Sequence, residues 1–399
     1  MTELVGGHQG TVAQRTADAG VAPVWVVPLS DVHAGQELQE AVLAAVRSGW
    51  WSAGPRVAEF ERAFADLCRT RHAIAVANGT AALHLALLAV GCGPGDEVVI
   101  PSLNFVAGAN TIGHIGASAV FCDICGDDDL TLDPRDVEAA ISPATKAIVV
   151  MHYGGHPCRM DEILDIADRR GITVIEDAAH APGATLAGRP CGAMGAIGCF
   201  SFFSNKNLPM GEGGMVVTDD DELERRVRLL RSHGMTTLSW ERHKGHATTY
   251  DVLLEGFNFR MDDLRAAMGL AQLPRLRDAN AARGRIVASY REALHGFRGI
   301  RMPFPPRIGT VPAHHLAVIL LPPGTRRHEV RAALAAAGIQ SSVHYPPTHR
   351  FSWYQARGRR RPLPWTDAVS ERLLTLPLYP HMDDAAVLAV IDAVAEAVR

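Results

Sequence analysis

Short apolar runs alternate with amphipathic stretches between residue 25 and about residue 218 of this 399-residue chain. Continuous runs rich in β-branched residues indicate strands that are buried on both faces, and longer Ala- and Leu-rich stretches without a breaker indicate helices. The alternation of these strands with helices along the chain predicts an α/β fold with a mostly parallel sheet. The predicted strands are Ala73–Val76, Glu97–Ile100, Ala119–Phe121, Ala147–Met151, Ile172–Ile175, Cys199–Phe203 and Met215–Thr218, and the predicted helices are Thr80–Val90 and Met160–Arg170.

The pattern changes after Asp219. Asp219–Ser232 predicts a charged amphipathic helix, and Asp262–Leu294 predicts one long helix or two helices joined near Pro274. A smaller α+β unit is predicted from about residue 300, with strands near His315–Leu321 and Ile339–His344 and helices near Arg327–Ala337 and Asp383–Val398. We therefore predict a loose tail at residues 1–24, a large domain at 25–275 and a small C-terminal domain at 276–399.

Composition and charge narrow the class of protein. Hydrophobic residues make up 47% and charged residues 21% of the chain, which excludes disorder for most of its length. A formal charge of −4 and a pI near 6.5 argue against nucleic-acid binding, which needs a concentrated basic face. No apolar run is long enough to cross a bilayer, and the N-terminus lacks the pattern of a signal peptide. We expect a cytoplasmic protein that binds neither nucleic acid nor membrane.

The cysteines and a group of histidines raise the question of a metal site. Seven cysteines, an odd number, suit reduced thiols better than a disulfide framework. Cys122 and Cys125 form a lone CxxC, and two buried thiols at a strand end are the favoured interpretation. His152, His156 and Cys158 lie close together in the sequence, but no carboxylate at helical spacing completes a set of metal ligands. Local hydrogen bonding in a loop is favoured there, and we predict no metal site.

Loops at the carboxyl ends of strands are the first places to look for chemistry, because open α/β sheets bind ligands there. Asn78, Gly79 and Thr80 lie between a predicted strand and a predicted helix. Glycine lets a ligand approach the backbone closely, and the free N–H groups of a helix N-terminus favour an anion such as phosphate. Taken alone, an ordinary helix cap is the commoner explanation. The chain has no GxGxxG and no GxxxxGK[ST] motif, so dinucleotide and P-loop sites have no support.

Two further strand-end loops carry an aromatic ring and a pair of acids. Phe105 could stack on a flat ring, although a lone phenylalanine is more often a core residue. Glu176 and Asp177 end a predicted buried strand, where carboxylates are costly unless they are used. One of these carboxylates could bind a protonated ring nitrogen, and helix capping by Asp177 is an equal alternative.

The fourth loop contains a lysine. Lys206 follows a predicted strand and precedes the glycine-rich segment Gly211–Gly214. A buried lysine there could form a Schiff base, whereas a lone lysine is more often a surface residue. Together the four loops supply what a pyridoxal 5'-phosphate (PLP) site needs: an imine-forming lysine, an acid for the pyridinium nitrogen, phosphate donors and a stacking ring.

Several ordered blocks of sequence resemble a known family. They are GWWSAGPRVAEFERAFA, NGTAALHLALLAVGCGPGDEVVIPSLNFVA, VIEDAAHAPGA, SFFSNKNLPMGEGG, GFNFRMDDLRAAMGLAQL, SSVHYPP and LPLYPHM. From about Leu29 to its C-terminus the chain resembles the DegT/DnrJ/EryC1/StrS family of PLP-dependent sugar aminotransferases, of PLP fold type I. The resemblance implies an aspartate-aminotransferase-like α/β fold. A large PLP-binding domain would be built on a mostly parallel seven-stranded sheet, and a smaller α+β domain would follow.

The resemblance also implies roles for the matching residues. Lys206 would hold PLP as a Schiff base and Asp177 would pair with the pyridine nitrogen, so these two are the predicted catalytic residues. Phe105 would cover one face of the cofactor ring, and His180 would lie beside the ring. The phosphate would be bound by Gly79, Thr80 and Ser201. Asn258, in GFNFR, would reach the phosphate of the neighbouring subunit, which implies a homodimer with shared active sites.

The implied reaction moves an amino group from glutamate or glutamine to a keto sugar, carried on a nucleotide, in amino-sugar or secondary-metabolite biosynthesis. A keto-cyclitol acceptor is one alternative. A non-catalytic regulatory or binding protein is another, although such a protein would be expected to lack the lysine or the acid. Sugar dehydratases of the family carry histidine at the lysine position, so Lys206 argues against that reaction.

Two segments depart from the family pattern. SFFSNK lacks the proline often found shortly before the lysine, and residues 236–256 are distinctive where family members contact the acceptor. Arg242, His243, Lys244 and His246 lie in that stretch. They form either a solvated loop or a cationic flap that closes over a phosphorylated acceptor.

Overall fold

A seven-stranded sheet organises the first half of the chain in the computed structural model, which describes residues 25–236, 249–357 and 361–399. Its strands are β1 (His72–Val76), β2 (Glu97–Pro101), β3 (Ser118–Cys122), β4 (Thr145–Met151), β5 (Thr173–Asp177), β6 (Ile197–Ser201) and β7 (Gly214–Thr218). Their order is β1-β7-β6-β5-β4-β2-β3, and β7 runs antiparallel to both of its neighbours while the other pairs are parallel. The predicted mostly parallel seven-stranded sheet is confirmed.

Helices cover both faces of this sheet. They are α1 (Gln36–Arg47), α2 (Pro55–Cys68), α3 (Gly79–Ala89), α4 (Ala107–His114), α5 (Pro134–Ala140), α6 (Met160–Arg170) and α7 (Asp221–Arg231). Side chains of α2 and α6 belong to one apolar cluster, and side chains of α3 and α4 belong to another. Along β4, Ile148 and Val150 join the first cluster and Val149 joins the second. Successive side chains of a strand point to opposite faces, so an unbroken apolar run is the expected sequence for a strand covered on both sides.

Two helices connect this sheet to a smaller C-terminal unit. They are α8 (Asp263–Gln272) and α9 (Leu276–Leu294), and the 3-10 turn Leu273–Arg275 separates them. Pro274 lies in that turn, where its missing N–H and its ring interrupt the α-helical ladder. The unit that follows contains β8 (Ala317–Leu320), β9 (Leu373–Leu376), α10 (Arg327–Ala336), α11 (Ser352–Gln355), α12 (Pro364–Arg372) and α13 (Asp384–Ala397). β8 and β9 pair antiparallel.

The predicted strand near Ile339–His344 is wrong. Ile339 bridges Val27 on one side, and Ser342 bridges Thr375 on the other, so the segment's backbone partners are divided between two different parts of the chain. Without one continuous neighbour the segment cannot form a ladder. Strand β6 also begins and ends two residues earlier than predicted, so Phe202 and Phe203 belong to the loop that leads to Lys206.

The domain boundaries at 25–275 and 276–399 stay a prediction, and residues 1–24 lie outside the described residues. Val27 packs in the C-terminal apolar cluster with Tyr290 and Ile319. Within the described ranges, no group of three His, Cys, Asp or Glu side chains is arranged to hold a metal ion. None of the helices that the structure describes is both long and apolar enough to cross a membrane.

Candidate active site

Lys206 lies at the centre of the site, in the loop that follows β6. Its backbone N–H donates to the carbonyl of Phe203 at 2.8 Å, which fixes the turn that presents the side chain. The amine Nζ lies 3.5 Å from Nε2 of His315. Burial lowers the pKa of the Lys206 amine to about 8, against the opposing attraction of Asp177. Near neutral pH this amine is therefore far closer to its uncharged, nucleophilic form than an exposed lysine would be.

A chain of hydrogen bonds fixes the protonation of the histidine that faces Lys206. Nδ2 of Asn207 donates to Oδ1 of Asn280 at 2.8 Å and to the carbonyl of Ala313 at 2.7 Å, so Oδ1 of Asn207 is left as an acceptor. That oxygen lies 2.9 Å from Nδ1 of His315, which must carry the proton. Nε2 of His315 therefore turns a lone pair toward the Lys206 amine. Burial and the charge of Lys206 lower the pKa of His315 well below its ordinary value, so the ring stays neutral.

Asp177 ends β5, next to β6 in the sheet. It is buried, and its Oδ1 accepts a hydrogen bond from the N–H of Ala179 at 3.1 Å. Among the described residues, that N–H is the only hydrogen-bond donor to the carboxylate. Burial raises the pKa of Asp177, although Ala179 and the charge of Lys206 oppose the shift. A buried carboxylate with free acceptor capacity is suited to receive a proton donor from a ligand.

Glu176, one residue earlier, has the opposite character. Its carboxylate is completely buried but fully used, because it accepts from His152 Nε2 at 2.8 Å and from three backbone N–H groups at 2.6–2.7 Å. Those N–H groups belong to Gly192, Met194 and Gly195. Burial alone would raise the pKa of Glu176, but the hydrogen bonds from His152 and the backbone lower it. Glu176 therefore holds the loop that precedes β6, and Asp177 is the acid left for chemistry.

His152 serves this structural role through both of its ring nitrogens. Its Nδ1 accepts from the N–H of Cys158 at 3.1 Å, so Nε2 carries the proton that it donates to Glu176. His156 stacks on Phe304, with ring centroids 4.0 Å apart and planes 5° apart. The hydrogen bonding predicted for this loop is found for His152, whereas His156 is held by stacking on a ring from a distant segment.

His180 forms a wall of the site with a tyrosine from the C-terminal unit. Its Nδ1 accepts from the N–H of Gly154 at 3.3 Å, so its Nε2 donates to Oη of Tyr345 at 2.9 Å. The ring centroid of His180 lies 4.2 Å from that of His315. Burial and the charge of Lys206 lower the pKa of His180 well below its ordinary value. His315 thus contacts the lysine, His180 packs on His315, and Tyr345 is joined to His180 by a hydrogen bond.

The N-terminus of α3 meets the end of β6. Asn78 caps this helix by accepting from the N–H of Ala81 at 2.8 Å. A Cβ atom on Gly79 would lie 2.7 Å from Cβ of Ser201, closer than side chains approach, so glycine is required there. Thr80 is exposed at the same helix end. Gly79, Thr80 and Ser201 are thus brought together at a helix N-terminus, which is the arrangement that binds phosphate.

Two predicted residues lie at the edge of the site. Phe105 is 53% exposed, and its ring centroid lies 5.6 Å from that of Tyr345. An aromatic ring left this open beside the site is available to stack on a ligand. Asn258 is exposed and pairs with Ser232 in an isolated bridge, so within one subunit it does not join the Lys206 cluster. Its predicted contact with a neighbouring subunit stays a prediction.

These residues fit PLP. The site offers a lysine with a lowered pKa, a buried carboxylate with spare acceptor capacity, a helix N-terminus that only glycine can occupy and an open aromatic ring. Sequence reasoning missed His315 as a site residue, although it began a predicted strand, and it missed Tyr345, although SSVHYPP was among the matching blocks. Arg242, His243, Lys244 and His246 lie outside the described residues.

Comparisons with known proteins agree with this geometry. A model of the DegT/DnrJ/EryC1/StrS aminotransferase family matches residues 32–395. The spore coat polysaccharide biosynthesis protein SpsC of Bacillus subtilis (strain 168) is 42% identical over 380 residues, which cover 94% of this chain and 97% of SpsC.

Solved structures give the same result. DesV of S. venezuelae, determined in complex with a ketimine intermediate, superposes with a TM-score of 0.83 at 38% identity, covering 91% of this chain and 95% of DesV. The PLP form of the putative sugar aminotransferase Spr1654 from Streptococcus pneumoniae superposes with a TM-score of 0.87 at 28% identity. That match covers 94% of this chain and 99% of Spr1654.

Proposed function

Because the chain belongs to the DegT/DnrJ/EryC1/StrS aminotransferase family of PLP-dependent enzymes, we propose that it transfers an amino group from glutamate or glutamine to a keto sugar carried on a nucleoside diphosphate. The observation that carries this proposal is the pairing of Lys206 with Asp177. Asp177 ends β5 and Lys206 lies in the loop after the neighbouring parallel strand β6, and burial shifts the pKa of each toward its neutral form. Such opposed shifts in one site are typical of groups that handle protons.

When bound, PLP would supply an aldehyde carbon that can hold the amino group and a ring that acts as an electron sink. Lys206 would hold the cofactor between turnovers. Once displaced by a substrate amine, the free Nζ of Lys206 would carry a proton between the substrate carbon and the cofactor. Asp177 would accept a charge-assisted hydrogen bond from the protonated pyridine nitrogen and keep that nitrogen protonated.

His315 would orient the lysine during this proton transfer. In the tautomer that Asn207 enforces, Nε2 of His315 can only accept a hydrogen bond. It would therefore accept one N–H of Lys206, and the lone pair of Nζ would point away from His315. Because the ring is held neutral, it does not compete with Lys206 for the proton that moves.

The remaining predicted residues would hold the cofactor. Phe105 would cover one ring face, and His180 would lie beside the ring. Gly79, Thr80 and Ser201 would bind the phosphate with backbone N–H and hydroxyl groups. Asn258 would complete the phosphate site of the neighbouring subunit, so we also propose a homodimer with shared active sites.

A keto sugar is favoured as acceptor by the relative SpsC, whose name refers to polysaccharide biosynthesis. A keto-cyclitol is the alternative acceptor. A non-catalytic binding protein is disfavoured, because Lys206 and Asp177 are both present and both carry shifted pKa values.

The test is a screen of the two half-reactions. Glutamate or glutamine should bleach the visible absorbance of the bound cofactor, and a nucleoside-diphosphate keto sugar should restore it. Restoration by keto-cyclitols alone would favour the alternative acceptor. Absence of bleaching with any amino donor would contradict the aminotransferase assignment.

A further inference from the structure

A cavity of about 380 Å³ lies against Lys206. Its walls come from the loop Ser204–Asn207, from helix α9, from residues 30–33 near the start of the described chain and from Leu378–His381 in the C-terminal unit. Asp177, His180 and Tyr345 are not among the residues that line it. The cavity thus includes Lys206 but not those three residues, and its volume lies within the range of small-molecule sites.

Arg283, on helix α9, lines this cavity and has no partner among the residues that the structure describes. Its side chain is only 6% exposed, and its Nη1 is buried without a hydrogen-bond acceptor. Within the described part of the chain Arg283 forms no ion pair. Burial lowers the pKa of Arg283 to about 10, so the guanidinium stays charged at neutral pH. Buried guanidinium groups are normally paired, because an uncompensated buried charge is strongly unfavourable.

The position of Arg283 links it to the reacting lysine. The pKa of His315 is lowered most by burial, and the charges of Lys206 and Arg283 lower it further. The histidine that contacts the Lys206 amine therefore also lies within electrostatic reach of the unpaired guanidinium. An anion held by Arg283 would lie close to the amine on which the reaction depends.

Two other ionisable side chains around the cavity already have partners. Arg275 pairs with Glu37 at 2.9 Å, and Asp31 pairs with His381 at 3.0 Å. Asp278 lies exposed on the cavity wall and adds a negative charge. One unpaired buried cation beside acidic side chains suits a ligand with a single carboxylate there. The same surroundings would repel the several negative charges of a diphosphate.

We propose that Arg283 binds the α-carboxylate of the amino donor and so orients the donor amine toward Lys206. The proposal rests on the proposed aminotransferase function, since glutamate and glutamine share the α-carboxylate. A guanidinium can bind a carboxylate through two parallel hydrogen bonds, which fixes orientation as well as position. Donor binding would neutralise the buried charge that the ligand-free protein carries.

The first measurement compares the holoenzymes of the wild type, Arg283→Gln and Arg285→Gln. Arg285 is exposed on the same helix and serves as the matched control. Calorimetry with glutarate, a dicarboxylate without an amine, should give a Kd about 10- to 100-fold weaker for Arg283→Gln, as expected for loss of a hydrogen bond to a charged group. Arg285→Gln should bind glutarate as the wild type does.

The second measurement identifies the carboxylate by single-turnover bleaching. In Arg283→Gln the rate of bleaching by L-glutamate and by L-2-aminobutyrate, which both have an α-carboxylate, should fall by a similar factor. The rate of bleaching by 4-aminobutyrate, which lacks an α-carboxylate, should stay unchanged. Equal effects on all three amines, no effect on any, or a higher KM for the acceptor alone would overturn the proposal.

Thermal stability separates a binding role from a structural one. Arg283→Met should unfold at the same temperature as the ligand-free wild type or higher, because it removes an uncompensated charge. A marked loss of stability would show that Arg283 holds the fold, and would contradict the proposal. If no amine bleaches the wild-type holoenzyme, the proposed function fails, while glutarate binding still tests Arg283 separately.

Discussion

Nε2 of His315 lies 3.5 Å from Nζ of Lys206, and the hydrogen bond from His315 to Asn207 makes that nitrogen an acceptor. During turnover a substrate amine would displace Lys206 from the cofactor, which would leave the lysine with a free amine. In that form the direction of the lysine lone pair decides whether it can reach the substrate proton. His315 is therefore a positioning residue for the lysine.

His315→Leu should lower kcat by about 10-fold or more and leave the KM of the donor nearly unchanged, because positioned proton transfer contributes a factor of this size or larger. His315→Gln, whose amide oxygen can still accept, should recover part of the loss. The two half-reactions should slow together, since the same lysine serves both. A change in KM with kcat intact would indicate a role in substrate binding instead.

The pH dependence of Lys206 reactivity follows from its lowered pKa. The neutral amine is the reactive form, so acylation of Lys206 in the apoenzyme should rise with pH and reach half its maximum near pH 8. Mass spectrometry can follow each lysine separately, with the exposed Lys146 as internal reference.

Asp177→Asn should move this midpoint downward, because the charge of Asp177 opposes the lowering of the lysine pKa. A midpoint near pH 10.4, the ordinary value for lysine, would show that the amine is not buried as described.

The neighbouring acids Asp177 and Glu176 should respond oppositely to removal of their charge. Asp177→Asn should keep the melting temperature and lower activity by about 10- to 100-fold, the value of a charge-assisted hydrogen bond. Glu176→Gln should lower the free energy of unfolding by about 3–5 kcal/mol, because it disrupts a buried network of four donors. Thermal unfolding and steady-state kinetics on both variants would check this. If Asp177→Asn lost stability and Glu176→Gln lost only activity, Glu176 would be the catalytic acid and Asp177 the structural one.

Shared active sites predict complementation between inactive variants. Lys206→Ala and Asn258→Ala homodimers should each have little activity. After mixing and subunit exchange, each heterodimer has one intact site, so a random mixture should recover about a quarter of wild-type activity. Mixing that restores nothing, although exchange is demonstrated by mass, would show that Asn258 acts within its own subunit.

The sheet could be predicted from sequence because each of its strands is an apolar run with helices on both sides, as Ala147–Met151 illustrates. Ile339–His344 could not, because its partners, Val27 and Thr375, lie far apart in the chain and share no ladder. Periodicity reports burial along a segment, but it does not report which segments supply hydrogen bonds.

The candidate site divides in the same way. Lys206, Asp177 and Gly79 lie at the carboxyl ends of strands or in the loops that follow them. Open α/β sheets bind ligands at these ends, so the position in the sequence identifies the three residues. The roles of His315 and Arg283 depend on contacts with Asn207, with Lys206 and with a cavity formed by four separate segments. On sequence alone Arg283 is one of several arginines on a polar helix.

Borohydride reduction of the holoenzyme followed by peptide mapping tests most directly whether Lys206 carries the cofactor. The chain contains three lysines, Lys146, Lys206 and Lys244, so the map is unambiguous. The reduced cofactor should be attached to Lys206 alone, and Lys206→Ala should lose the label. Attachment to Lys146 or Lys244, or an unlabelled wild-type protein that still transfers amino groups, would contradict the assignment of Lys206.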